Sequence, residues 1–330
     1  MKKLFLHIGY PRTGTKTLQF YLFRKHNEIN YLGRHPDRQI SHIPIIDKIF
    51  GTSDEDYNNK KVNLVNEFKE LKFDWSKINL ISDEFFLLND ILYDHASLDR
   101  SLNRLNDICK ENNIIIKVFF NIRNQAGIIK SLYSASYQTS LKTNMEKILD
   151  AFINNNKDSY LDNFIKSFNY QEMFFKISQI VGKENVRFFL YECFQNDQEK
   201  YLKILSDYLK INEKESIYLC QNKHAHKMSD TISSDSELNS KSQLILHKFK
   251  MLELNYLLLK NLPKKIVKFF EIIFTKKKIS NNEIKSKRLA LQKDFDIMKN
   301  NQNYIKDYYR ISNRKIFNKF KEEEIFNKFY

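Results

Sequence analysis

Nine residues near the start of the chain, Gly9-Tyr10-Pro11-Arg12-Thr13-Gly14-Thr15-Lys16-Thr17, combine two glycines, three threonines and two cations. Glycine-spaced loops let backbone N–H groups converge on an anion, and hydroxyls and a guanidinium add further donors. Phosphate suits such a set. A triphosphate-binding loop reads G-x-x-x-x-G-K-[ST], its lysine on the β- and γ-phosphates and its last hydroxyl on Mg²⁺. Gly9 and Gly14 keep that gap, but Thr15 follows Gly14 and Lys16 comes one residue late. The cation inside the loop is Arg12, two residues before Gly14. That register suits one terminal phosphate in the cradle, with the guanidinium at the bond being broken beyond it. The chain has only 6 glycines, so two in one loop argue against chance.

A loop of this kind needs a strand before it and a helix after it. Lys3 to Ile8 reads as a buried strand ended by Gly9, and Thr15 to Lys25 as a helix with Leu18, Tyr21 and Leu22 on one side. Ile29 to Leu32 reads as a short strand. Residues 33–58, with Gly33, Pro36, Pro44 and Gly51, read as irregular. A helix is expected over Val62 to Leu71, a strand over Ile78 to Ser82, and a helix over 98–112. Ile114 to Ile122, I-I-I-K-V-F-F-N-I, is the strongest strand, and a helix follows it through Tyr137. Residues 161–180 read as one long amphipathic helix, Asn185 to Tyr191 as a strand, and 198–210 as a helix. Alternation of this kind predicts an α/β fold: three α/β/α layers with a mainly parallel central sheet. Beyond about residue 230 only helical patterns are visible. The apolar, lysine-flanked stretch Leu252 to Lys278, broken at Pro263, reads as a helix pair packed on the core, with a membrane surface as the second reading.

At this point a resemblance carries more than spacing can. The loop at 9–17 resembles the 5′-phosphosulfate loop of sulfotransferases that use 3′-phosphoadenosine 5′-phosphosulfate (PAPS), roughly G-x-P-[KR]-[ST]-G-[ST]-[ST]. The resemblance implies that Arg12 is the catalytic cation, and that Pro11, Thr13, Gly14, Thr15 and Thr17 shape the cradle for the 5′-phosphate. Lys16 departs from the pattern, where a hydroxyl is commoner; it either adds a phosphate contact or points outward. The family also carries a strand ending in Arg with a Ser eight residues on. Arg123 and Ser131 stand at that spacing here, and the resemblance assigns them the 3′-phosphate that distinguishes PAPS from ATP. Tyr133 fits the S-x-Y that often follows. Gln125 stands where the family usually has Pro. A strand ending in Tyr191-Glu192 also recurs and implies a structural role.

The same resemblance implies in-line sulfuryl transfer, with 3′,5′-ADP as the product and no metal. It calls for a base. Glu84, after the strand at 78–82, ranks first, because several family members place their base at a comparable strand end. His35 and His42 follow, in a segment where other members carry a glutamate. Lys223 and His224 fall where members often have a loop closing over the nucleotide. The resemblance covers residues 3 to about 210 and implies a P-loop-like sulfotransferase fold with a catalytic domain over 1–228. A basic, mostly helical extension over 229–330 would lie outside it.

Composition constrains the setting. The chain of 330 residues is 42% hydrophobic and carries a net charge of +15. Residues 241–330 hold 19 Lys and 3 Arg against 9 acidic residues, a net of +13. That stretch could suit an anionic partner, peripheral membrane ahead of nucleic acid, although lysines on solvated helix faces are the plainer reading. Cys109, Cys193 and Cys220 are too scattered for a metal site or a disulfide framework. The apolar start MKKLFL stops at Gly9, too short for a secretory core, so a reducing cytoplasm is expected. The acceptor is expected to be a small molecule or a glycan, a carbohydrate or glycolipid hydroxyl being favoured over an amine. Two other readings compete: a P-loop kinase, and a non-catalytic module that uses its basic tail on membrane or nucleic acid.

Overall fold

The computed structural model describes residues 2–33, 44–83, 86–87, 98–136, 143–221, 223 and 281–320. Five strands form one sheet: β1 (Lys2–Ile8), β2 (Ile29–Tyr31), β3 (Ile78–Asp83), β4 (Ile114–Ile122) and β5 (Val186–Leu190). Their order is β2-β3-β1-β4-β5, and every pairing is parallel. Parallel strands need crossovers, and side-chain alternation sends residues to both faces, so both faces must be covered. On one face, Leu4, Leu6 and Ile8 of β1 pack with Ile116, Val118, Phe120 and Ile122 of β4. On the other, Phe5 packs with Leu80, Phe119 and Phe189. The two faces belong to two separate apolar clusters, so the expected three-layer α/β/α arrangement is the one observed.

The helices are α1 (Thr15–Thr17), α2 (Pro44–Gly51), α3 (Asp54–Lys69), α4 (Leu98–Glu111), α5 (Gln125–Ser136), α6 (Met145–Ile153), α7 (Ser159–Lys166), α8 (Tyr170–Val181), α9 (Tyr191–Asn196), α10 (Gln198–Leu209), α11 (Glu213–Cys220) and α12 (Asn281–Phe320). Several differ from the sequence reading, each for a local reason. Residues 44–51 and 54–58 are helical rather than irregular. Pro44 occupies the first position of α2, where its missing N–H costs nothing. Ser53 caps α3 by accepting from Asp56 N at 3.1 Å, with Asp54, Glu55 and Asp56 in the first turn.

The long helix expected over 161–180 is two helices, because Asn169 caps α8, accepting from Glu172 N at 3.3 Å. The carbonyls freed at the break are taken up by distant side chains. Tyr10 Oη donates to Ser167 O at 2.7 Å, and Gln125 Nε2 to Phe168 O at 3.3 Å. Tyr191 starts a helix rather than ending a strand. Residues 18–23 widen into a π-helical turn after α1, with buried Gln19 reaching Ser82 Oγ at 3.0 Å. Residues 213–220 form a further helix, capped by Asn212, that no apolar period announced.

The last helix, α12, lies against the face that carries β4. Met298, Ile305, Tyr309 and Ile316 are buried in that cluster, and Tyr309 Oη donates to Ile165 O at 2.6 Å. The expected boundary at 228/229 and the stretch 252–278 lie outside the described residues. Among the described residues no helix is long and apolar enough to cross a membrane.

Candidate active site

The strand order reverses its direction of growth at the neighbours β1 and β4, and ligands in such sheets bind at the carboxyl ends beside that point. Two chain segments emerge there. Residues 9–17 follow β1, and residues 123–131 follow β4, with His7 opposite Phe119 in the register.

The first segment is a tight loop. Gly14 has φ 83°, and Arg12 has φ 68°. For Arg12 the left-handed conformation costs about 1–2 kcal/mol, so its neighbours must hold it. They do so at three points. Thr13 Oγ1 donates to Tyr10 O at 2.7 Å, Asn121 Nδ2 donates to Thr13 O at 2.9 Å, and Arg123 Nη1 donates to Arg12 O at 3.2 Å. Asn121 is itself fixed by Tyr201 Oη, which donates to its Oδ1 at 2.6 Å. Burial raises the Tyr201 phenol well above its ordinary value, so it stays a donor. Both glycines are required by close approach. A Cβ on Gly9 would lie 2.3 Å from Thr15 Oγ1, and one on Gly14 would lie 3.0 Å from the Phe194 ring.

The loop then turns into α1, and Leu18 N donates to Gly14 O at 3.2 Å. Pro11, Thr13, Thr15 and Thr17 are buried, whereas Arg12 and Lys16 are exposed. Thr15 is 3% exposed, yet its Oγ1 makes no hydrogen bond among the described residues. A buried hydroxyl without a protein partner at a helix start is available to donate to a ligand. That residue set, with its threonine hydroxyls, glycine turns and two flanking cations, fits a phosphate group.

The second segment meets the first directly. Arg12 Nε donates to Ser131 Oγ at 3.0 Å, across 119 residues of chain. The Arg123 guanidinium carbon lies 4.8 Å from the centre of the Tyr191 ring, a cation–π contact that orients it. Gly127 leaves room for it, since a Cβ there would come within 3.2 Å of Arg123 Nε. The turn between β4 and α5 is held by buried side chains. Glu192 Oε1 accepts from Asn124 N and Asn124 Nδ2, both at 2.8 Å, and Asn124 Oδ1 accepts from Gly127 N at 2.7 Å. Tyr170 Oη accepts from Arg123 N at 3.3 Å and donates to Arg123 O. Burial raises the Tyr170 phenol far above its ordinary value and keeps it protonated.

Sequence reasoning named Pro11 to Thr17, Arg123 and Ser131, and of these the structure joins Arg12 to Ser131 and Arg123 to the Arg12 carbonyl at the carboxyl ends of β1 and β4. Sequence reasoning missed Asn121 and Tyr201. Asn121 is the only uncharged polar residue in the apolar run of β4, a signal that was available. The structural role expected of the Tyr191-Glu192 pair is seen at Glu192, which holds the Arg123-Asn124 turn. Tyr191, however, also faces Arg123. The proposed bases Glu84, His35 and His42 lie outside the described residues, as does His224; Lys223 is exposed. Asp83, just before Glu84, ends β3 opposite Ile8, and its carbonyl accepts from Gly9 N at 3.5 Å.

Beneath the crevice His7 is fully buried, its Nδ1 2.7 Å from Ser82 Oγ. Burial lowers its pKa from 6.5 to about 3, so the ring is neutral.

Fold and site together define an open parallel α/β sheet with a glycine- and threonine-rich loop and two neighbouring arginines at its switch point. No family model matches the chain, and no curated protein does. Among solved structures it is similar to a sulfotransferase from Alicyclobacillus acidocaldarius, with a TM-score of 0.41 and 14% identity over 76% of this chain and 96% of that one. It is also similar to the mouse sulfotransferase SULT7A1 complexed with PAP, with a TM-score of 0.37 and 16% identity over 86% of this chain and 88% of that one. Likeness at these scores adds no weight to the reading of the site, which stands on this chain's own residues.

Proposed function

We propose that this protein is a PAPS-dependent sulfotransferase. The observation that carries the proposal is the contact of Arg12 Nε with Ser131 Oγ at 3.0 Å, with Arg123 Nη1 on Arg12 O at 3.2 Å. Two remote segments, each suited to one phosphate, meet at the ends of adjacent strands. PAPS supplies an activated sulfuryl group on its 5′-phosphate and a separate 3′-phosphate. Gly14, Thr13, Thr15 and Thr17 would hold the first phosphate, and Arg123 with Ser131 the second. Arg12 stands between them.

The chemistry asked of these residues is modest. The acceptor hydroxyl oxygen forms a bond to sulfur as the bond from sulfur to the bridging oxygen breaks, and the electron pair leaves with the phosphate of 3′,5′-ADP. Arg12 stabilises charge growing on that oxygen, a contact worth most where it strengthens during the reaction. The hydroxyl proton passes to a base, for which Glu84, next after Asp83 at the end of β3, is the first candidate; His35 and His42 are the others. Unchanged turnover in Glu84→Ala would remove it from that role. We favour a carbohydrate or glycolipid hydroxyl as the acceptor, with an amine second, and action at the cytoplasmic face of a membrane. The charge of residues 241–330 motivates that setting; membrane association that survives their neutralisation would count against it.

A kinase reading keeps one observation in its favour, the acidic Asp83 at the strand end beside the loop. One experiment separates the two. The protein is incubated with a cell-envelope extract and either sulfur-labelled PAPS without metal or γ-labelled ATP with Mg²⁺. Label transfer from PAPS alone is expected. Transfer from ATP alone overturns the proposal.

A further inference from the structure

We infer that the C-terminal helix α12 is a positioning element for the 3′-phosphate side of the site, acting through a buried amide pair between Gln125 and Asn313. The inference rests on the donor-site reading above. Gln125 is the first residue of α5, one position after Asn124 and two after Arg123, and Ser131 lies further along the same helix. Gln125 Nε2 donates to Asn313 Oδ1 at 2.9 Å, and Asn313 Nδ2 donates to Gln125 Oε1 at 3.0 Å. The two residues are 3% and 1% exposed, and 188 positions apart. The second proton of Gln125 Nε2 goes to Phe168 O at 3.3 Å, so both of its donors are used.

Near the other end of α5, Tyr133 Oη donates to Asp294 Oδ2 at 2.8 Å, and Lys130 Nζ lies 4.7 Å from the centre of the Phe295 ring. α12 thus grips α5 on both sides of Ser131.

The choice of polar groups is informative. Apolar side chains would fill the same space at no desolvation cost, but they tolerate sliding. Two amides that bond reciprocally in a buried site accept one relative placement, and any slip leaves polar atoms unpaired. A Pro at position 125 could not make this pair. The start of α5 is therefore set by a helix more than 150 residues downstream, and with it the alignment of Arg123 and Ser131. The loop at 9–17 is anchored from other elements as well: Asn121 of β4 holds the Thr13 carbonyl and the end of β3 accepts from Gly9 N, while Arg12 meets α5 at Ser131.

The test uses the full chain and two probes, 3′,5′-ADP and 5′-AMP, which differ only in the 3′-phosphate. Their affinity ratio reads the Arg123–Ser131 side alone. Asn313→Leu and Gln125→Leu should each lower the ratio by about tenfold, with 5′-AMP affinity held within about twofold. The double variant should fall no further than the worse single one, because the pair acts as a unit. The exchanged pair, Gln125→Asn with Asn313→Gln, keeps reciprocal amides and should recover most of the ratio; this arm holds even if the leucine variants fold poorly. A wild-type preference for 3′,5′-ADP that both leucine variants keep overturns this inference alone, and so does an exchanged pair no better than the leucine variants. No preference in the wild type overturns the donor-site reading and this inference with it.

Discussion

The two arms of the site are built in opposite ways. The arm at 9–17 is short and strained, and its shape comes from glycines, a left-handed Arg12 and contacts to the strands beside it. The arm at 123–131 has ordinary backbone geometry and owes its placement to side chains from far along the chain: buried Tyr170, Glu192 and Asn313, and half-buried Asp294. A locally coded arm can be recognised as a motif. A remotely supported arm shows only its two functional residues, and the supports look like unrelated core residues.

That contrast orders the expected effects of substitution. Arg12→Ala should cause the largest loss. Turnover should fall by about 10²–10³-fold, the range for removing one preorganised donor to developing charge. Affinity for 3′,5′-ADP should change by less than about tenfold, because the contact counts mainly in the transition state. Steady-state kinetics and a product titration on the same preparation check both numbers; an equal loss in each would make Arg12 a plain binding residue.

Next comes the remote arm. Glu192→Ala leaves Asn124 N and Nδ2 without their acceptor in a half-buried turn. Stability should fall by about 1–3 kcal/mol, and 3′,5′-ADP affinity should drop while 5′-AMP affinity holds. Chemical denaturation read with the two titrations tests this. Equal weakening of both nucleotides would mean that the arms are not independent.

A third expectation concerns pH. His7 has a folded pKa lowered from 6.5 to about 3 by burial. Between those values the unfolded state binds the additional proton, so stability rises with pH in that window. The contribution is complete above 6.5 and declines as pH falls through 6.5 towards 3. His7→Leu should flatten the decline in thermal unfolding measured between pH 7 and pH 4.5; an unchanged slope would assign the loss to other groups.

The smallest effect belongs to Lys16. Its side chain is exposed, although the residues on either side of it are buried in the cradle. Lys16→Ala should change 3′,5′-ADP affinity by less than about 0.5 kcal/mol. A larger loss in titration would bring Lys16 into the phosphate site and weaken the separation between the two cations of the loop.

How much was legible in the sequence follows the same division. The strands were readable because a parallel sheet buried on both faces needs continuous apolar runs, and β1, β3, β4 and β5 carry them. Gly9 to Thr17 was readable because its glycines, threonines and Arg12 fall within nine consecutive residues, although Asn121, Arg123 and Ser131, which hold it, come from far along the chain. The break at 167–169 was not, because the apolar period runs on through it and the freed carbonyls are satisfied by Tyr10 and Gln125. Helix α3 starts earlier than its apolar period suggests because Ser53 caps it and three acidic residues fill its first turn. The pairing of Gln125 with Asn313 could not be read at all. Neither residue has a local pattern, and only the packing of α12 brings them together. Gln125 departs from the proline of the motif that the chain resembles, and its amide pairs with Asn313.

The central claim is that the crevice between β1 and β4 holds two separate phosphates of one nucleotide without metal. Calorimetric titration of the full chain with 3′,5′-ADP and 5′-AMP in chelator, and with ATP in Mg²⁺, tests it most directly. The account predicts metal-independent binding of 3′,5′-ADP, tighter than 5′-AMP by about tenfold or more, as charge-assisted bonds to a second phosphate require, and tighter than ATP with Mg²⁺. Equal affinity for 3′,5′-ADP and 5′-AMP, or a preference for ATP with Mg²⁺, would contradict it.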